Sequence, residues 1–198
     1  MYDFKDERWI KNIEQLRQKD NKVILTFDDG PSRKLEEILD VLKEKQVQAV
    51  FFWNSRLLYP QRPWQRVVQE GHIIGSHAHN HKNLTTLTKN EQYKQIKTSV
   101  EKIQEITGID VHWFRPPFGQ YNEETMEVLR ELCLTPVLWE ISSYDWENKS
   151  SPEMIVTNVV EHIQEGSIIL LHELEQTLKI LPELIDQMRE KGFEFALL

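Results

Sequence analysis

The sequence holds a single cysteine, Cys133, so neither an intrachain disulfide nor a cysteine-built zinc site is available to it. Flanked by Leu132 and Leu134, that cysteine reads as a small buried thiol. No stretch approaches the ~18 consecutive apolar residues of a membrane span. The N-terminal segment carries Asp3, Lys5, Asp6, Glu7, Arg8 and Lys11 with no apolar h-region. The expectation is therefore a chain without a signal peptide, cytoplasmic as given, or secreted to the cell wall if a leader has been removed. Basic charge is also short: 24 Lys+Arg stand against 32 Asp+Glu, a net −8 that argues against nucleic-acid or anionic-membrane binding. Repeats and low-complexity tracts are absent. The 198 residues, 39% of them apolar, suffice for one substantial core, which excludes a disordered tail or a disulfide-stapled miniprotein.

What recurs is an alternation of short β-rich runs with longer helical patterns. Strands are expected at 22–27, 47–53, 72–75, 111–114, 135–142, 167–171 and 193–198. Between them, Leu35, Ile38, Leu39 and Leu42 mark one helix, and Pro63 opens another that Gly71 stops. Thr88 and Glu91 form a capping-box pattern for a long helix through Tyr93, Ile96, Val100 and Ile103, with Gly108 as its C-terminal cap. Further helices are expected near 122–132, after Ser151-Pro152, and up to Gly192. Trp9, Ile13 and Leu16, at i, i+4 and i+7, predict a modest N-terminal helix packed on the outside of the domain. Seven strands separated by helices imply a parallel sheet, because each parallel return needs a crossover.

Polar groups fall at the ends of these strands. Asp28 and Asp29 follow the first, His77, His79 and His81 the third, Arg115 the fourth, and His172 the apolar run Ile168-Ile169-Leu170-Leu171. In parallel α/β architecture the C-terminal strand ends share one rim, where active sites are built. Three histidines within five residues suggest a metal, with His77 and His81 at i, i+4 and a third ligand from Asp28 or Asp29. Set against this are a solvated polar loop, an ordinary Asp-Gly turn, a surface ion pair at Arg115 and a core histidine at His172.

Thr26-Phe27-Asp28-Asp29-Gly30-Pro31, Gly75-Ser76-His77-Ala78-His79-Asn80-His81, Arg115-Pro116-Pro117-Phe118-Gly119, Asp145-Trp146 and Leu170-Leu171-His172 follow one another in order. Together they resemble the polysaccharide deacetylases, the NodB-homology enzymes of carbohydrate esterase family four. The resemblance covers the chain from about Lys22 onward. It implies a distorted parallel (β/α) barrel of about seven strands, with 1–21 as an N-terminal helical extension and 22–198 as the catalytic domain. It implies a divalent metal, zinc first and Co2+, Ni2+ or Mn2+ as substitutes, on Asp29, His77 and His81. Asp28 takes the place of the catalytic base, His172 of the general acid, and Arg115 of the residue holding the base. Phe118 and Gly119 stand where the oxyanion is received, and Trp146 and Leu170 where the acetyl methyl sits. His79 occupies a non-ligand position of its motif.

The implied reaction is removal of N-acetyl groups from an N-acetylglucosamine-containing glycan, peptidoglycan or chitin-like. Its alternatives are O-acetyl or other small-amide hydrolysis on the same site, and a catalytically silent glycan-binding homologue. The expected partner is a glycan, with no nucleic acid. One departure bears on the acid: the resemblance places an aspartate three residues before Asp145, and here Ser142 stands there. His172 is accordingly expected to lose a charge partner and to have a lowered pKa, with Glu140 and Glu173 as candidate replacements. Tyr59, Trp64, Tyr121 and Tyr144 are candidates either for sugar stacking or for packing.

Overall fold

Residues 5–15 and 21–198 are described by the computed structural model. The apolar run after Asn21 forms β1 (Lys22–Gly30), buried along nearly its whole length. Parallel to it on one side lie β2 (Val50–Trp53), β3 (Ile73–Ser76), β4 (Trp113–Phe114) and β5 (Thr135–Pro136). On the other side lie β7 (Ile168–His172) and then β6 (Ile141–Ser142), while β8 (Glu194–Phe195) pairs with the start of β1. The result is a curled parallel sheet wrapped by helices. Strands buried on both faces explain why these runs are continuously apolar rather than alternating.

The helices are α1 (Leu35–Glu44), α2 (Trp64–Gln69), α3 (Lys89–Thr107), α4 (Glu123–Glu131), α5 (Glu153–Val160) and α6 (Glu175–Glu190). The Thr88–Glu91 capping box starts α3 and Gly108 ends it at φ 73°, as the sequence predicts. The helix expected after Ser151-Pro152 ends at Val160, short of the Gly166 that would be its natural stop. The expected strand at 135–142 is two strands. Its halves are the opposite edges of the sheet, and residues 137–140 carry the chain across the seam between them.

The N-terminal segment departs from the outward helix that its periodicity suggests. Its Leu16 lies outside the described residues, and the described part contains a single 3-10 turn, Ile13–Gln15. Ile10 bridges Val137 and Asn12 bridges Ser167, so this segment laces the seam. Glu140 completes the lacing by accepting from Asn12 Nδ2 (2.9 Å), Ser167 Oγ (2.8 Å) and Gln164 Nε2 (2.6 Å). Trp9 is fully buried in the main core, its ring centroid 4.4 Å from that of Tyr121. An open seam leaves apolar surface uncovered, and Trp9 supplies the cover, which outweighs local helical periodicity.

Cys133 is exposed rather than buried. It follows α4 with φ 55°, in the left-handed position of a C-terminal cap. Leu134 N–H donates to Leu129 O (2.9 Å) and Cys133 N–H to Arg130 O (3.2 Å), the paired bonds of a Schellman motif. The backbone turn decides where this side chain goes, ahead of its apolar neighbours.

Because Trp9 belongs to the core, Trp9→Ala is expected to lower the unfolding free energy by about 3–5 kcal/mol. Urea unfolding measures it; a loss below ~1 kcal/mol would show that the N-terminal segment is not part of the core.

Candidate active site

Asp28 and Asp29 lie at the last turn of β1, where the register against β2 shifts between Asp28 and Gly30. Asp29 takes φ 66°, so the neighbouring carboxylates face different surroundings. Asp28 is buried and meets Arg115, whose Nη1 donates to Asp28 Oδ1 at 2.8 Å and to Thr26 Oγ1 at 2.7 Å. Burial pushes the Asp28 carboxyl above its usual range, outweighing Arg115, His172 and His81, which pull it down. Arg115 thus favours the ionised form, as expected, but does not win outright.

Asp29 turns toward the histidines. Its Oδ1 lies 3.6 Å from His77 Nε2 and 3.3 Å from His81 Nε2, and the three ligand atoms fall within 4.8 Å of one another. His77 Nδ1 is 2.7 Å from the Arg115 carbonyl oxygen. A carbonyl only accepts, so Nδ1 carries the proton and Nε2 offers its lone pair to Asp29's side. Burial, reinforced by His81 against the charge of Asp29 and the bond to the Arg115 carbonyl, lowers the His77 pKa to about 3, leaving a neutral imidazole. Asp29 Oδ1 is buried and has no hydrogen-bond partner among the described residues. An orphaned carboxylate oxygen facing two imidazole nitrogens is a donor set suited to a divalent cation.

Opposite stands His172, at the end of β7 and in register with Asp28. Its Nδ1 lies 2.7 Å from Asp145 Oδ1. Asp145 is fully buried, and its Oδ2 accepts from His172 N–H and from Thr177 Oγ1, each at 2.6 Å. The expectation built on Ser142 is therefore corrected. The partner of His172 is the aspartate of Asp145-Trp146 itself, and neither Glu140, at the seam, nor Glu173 replaces it. Burial works to lower the His172 pKa, but the bond and charge of Asp145, with Asp28 and Asp29 behind, hold it above its ordinary value.

These groups share a cavity of about 510 Å³. Asp28, Asp29, His77, His81 and His172 face it, as do Phe118, Trp146 and Leu170. Arg115 lies buried beneath it. Gly119 is at φ 63°, where a Cβ would come within 3.0 Å of Trp139 Cη2, so its part is to admit Trp139, which does line the cavity. Trp146 packs edge-on against His172 at 5.2 Å between centroids, and Phe118 sits 4.2 Å from His81. Among the four aromatic candidates, Tyr144 stands beside Trp146 at 5.4 Å, while Tyr121 packs on Trp9 and Trp64 against the core. His79 turns away to Ser55 Oγ (2.8 Å). Sequence reasoning does not single out Trp139, Leu174 or Ser32, which also line the cavity and carry no motif of their own. Asp145 has no role assigned by the sequence; its place in a motif beside Trp146 is the available signal.

A parallel curled sheet with a three-donor cluster at its C-terminal rim, flanked by a paired carboxylate and a paired imidazole, defines a hydrolase-like site. The chain belongs to the polysaccharide deacetylase family, whose sequence profile matches residues 15–137. It is 32% identical over 185 residues to a peptidoglycan-N-acetylglucosamine deacetylase of Bacillus cereus, covering 89% of this chain and 66% of that one. Its fold matches the Bc1960 peptidoglycan N-acetylglucosamine deacetylase in complex with 4-naphthalen-1-yl-N-oxidanyl-benzamide. That match has a TM-score of 0.85 and 32% identity, over 90% of this chain and 86% of that one. It also matches the wild-type BA3943 protein of Bacillus anthracis, a CE4 family pseudoenzyme. There the TM-score is 0.81 at 26% identity, over 89% of this chain and 63% of that one. The chain spans 40% to 67% of the length of several curated relatives.

In metal-free protein, the His172 imidazole is expected to titrate above the ordinary ~6.5. Asp145→Asn removes the charge that opposes burial, so the pKa should fall. NMR titration of the ring checks the sign; an unchanged pKa would contradict the pairing.

Proposed function

We propose that this chain removes N-acetyl groups from an N-acetylglucosamine-containing glycan such as peptidoglycan. The observation that supports this best is that Asp28, paired with Arg115, and His172, paired with Asp145, line one cavity with the Asp29, His77 and His81 cluster. Asp29, His77 and His81 would hold a divalent cation, zinc by the donor chemistry, which would supply Lewis acidity toward the acetyl carbonyl and a water of lowered pKa.

The remaining work falls to protein groups. Asp28, fixed by Arg115 and with its basicity raised by burial, accepts the proton of the attacking water. Trp146 and Leu170 give the acetyl methyl an apolar wall. Phe118, with φ 60°, is the candidate to offer its backbone N–H to the developing oxyanion, a contribution of about 3–4 kcal/mol where such a donor is in place. His172, protonated and steadied by Asp145, donates to the departing nitrogen, which would otherwise leave as a high-energy amine anion.

The Asp145–His172 pair also bears on the alternatives. Ester cleavage needs less help for its leaving group, and a silent homologue needs none. Only the silent reading draws on Ser142, and the hydrogen bond of His172 to Asp145 weighs against it; rates on N-acetyl and O-acetyl sugars separate the ester reading.

Asp29→Ala is expected to abolish zinc binding and turnover together. Asp28→Ala should retain zinc while lowering turnover by about 10²-fold or more. Metal analysis and acetate release from chitooligosaccharides and peptidoglycan are the measurements; full activity in both variants would overturn the assignment.

A further inference from the structure

Glu173 is the buried acid of the cavity that the reaction above leaves unused. It follows His172 directly, is 5% exposed and lines the cavity. Its Oε2 accepts Ser32 N–H at 2.6 Å, and its Oε1 accepts Trp53 Nε1–H at 3.1 Å. One carboxylate thereby joins the C-terminal ends of β1, β2 and β7. Gly30 provides the room: a Cβ there would lie 1.8 Å from Glu173 Oε1 and 2.7 Å from Trp53 Cδ1. The Gly30 carbonyl in turn accepts Asn54 N–H at 2.9 Å.

The turn held this way contains Asp29 at φ 66°, inside the register shift of β1. A non-glycine residue persists in that region only where its surroundings over-determine it. We propose that Glu173 is a positioning residue that holds the 28–32 turn so that Asp29 presents its carboxylate to His77 and His81. The inference rests on the metal-site reading above. A carboxylate suits the task because it accepts from Ser32 N–H and Trp53 Nε1–H, with the Ser32 side chain bonded to it as well. Glutamine has the same size, but its amide NH2 would face Ser32 N–H or Trp53 Nε1–H, donor against donor.

The test is zinc affinity of the metal-free full chain, by competition with a chromophoric chelator, together with the visible spectrum of the Co2+ form. E173Q is expected to bind zinc about 10–100-fold more weakly, with an altered Co2+ spectrum. Unchanged affinity overturns the proposal. So does weaker binding with an unaltered spectrum, which would mark a loss of charge rather than of geometry. Should E173Q fail to fold, W53F removes one donor and keeps the carboxylate. A smaller loss of affinity with the same spectral change is then expected, and no change overturns the proposal. Wild-type protein that takes up neither zinc nor Co2+ overturns the metal-site reading itself, an outcome distinct from a variant matching the wild type.

Discussion

A guanidinium shut off from water has to find its partners inside the protein, and Arg115 is fully buried. Its Nη2 donates to Leu138 O at 2.8 Å, at the seam, and its Nη1 reaches Thr26 and Asp28 on β1. Its carbonyl accepts the hydrogen bond from His77 Nδ1–H, and its N–H donates to Ser76 O on β3. The guanidinium carbon lies 4.2 Å from the Phe52 ring centroid. The candidate base, one candidate metal ligand and the closure of the sheet are thus tied to one residue. Desolvating such an ion pair costs several kcal/mol per ion, which the attraction recovers only in good geometry. That cost is reason to read the arrangement as serving orientation rather than stability. Asp28 is kept where burial raises its basicity, and Arg115 works against that rise.

The same tension between burial and pairing sets His172 apart from His77. Both imidazoles are largely withdrawn from solvent, which disfavours charge on either. His77 finds a carbonyl at Nδ1, a dipole too weak to offset burial, and stays neutral. His172 finds the full charge of Asp145 and is held above its ordinary value. One becomes suited to donating a lone pair and the other a proton. The distinction lies in what sits behind each ring.

That distinction also marks how far the sequence is legible. Strand ends carrying Asp28, Asp29, His77, His81, Arg115 and His172 were readable because apolar runs and Gly/Pro turns locate the rim without coordinates. The capping box at Thr88 was readable because both of its members are local. What escaped depends on contacts between distant segments. Asp145 meets His172 because β6 and β7 pair, with Ile141 opposite Ile169 and Ser142 opposite Leu170, a register that motif spacing does not reveal. Trp9 enters the core because a seam exists between β5 and β6, and no periodicity within residues 1–21 reports a seam. Cys133 is exposed because a helix needed a left-handed cap there, although glycine is the usual residue for it.

Left-handed backbone at non-glycine residues separates the two kinds of constraint. Gln46 and Cys133 adopt it just beyond helices, where the paired bonds of a helix cap fix the conformation locally. Asp29, Ala78, Phe118 and Tyr144 adopt it at the rim, each costing of order 1–3 kcal/mol unless its surroundings compensate. The turn that follows Asp29 is held by Asn54 at Gly30 and by Glu173 at Ser32. Ala78 is held by the loop after β2, where Asn54 Nδ2 grips His77 O at 2.6 Å and Ser55 N–H grips Ala78 O at 3.2 Å. The end of β2 therefore serves both sets of donors: the Trp53 indole supports the carboxylate turn through Glu173, and its carbonyl accepts His77 N–H at 2.8 Å. A strand without a titratable group of its own thus fixes the spacing between Asp29 and the histidines. Residues of that kind are found by asking what holds a strained backbone in place, not by asking which side chains can do chemistry.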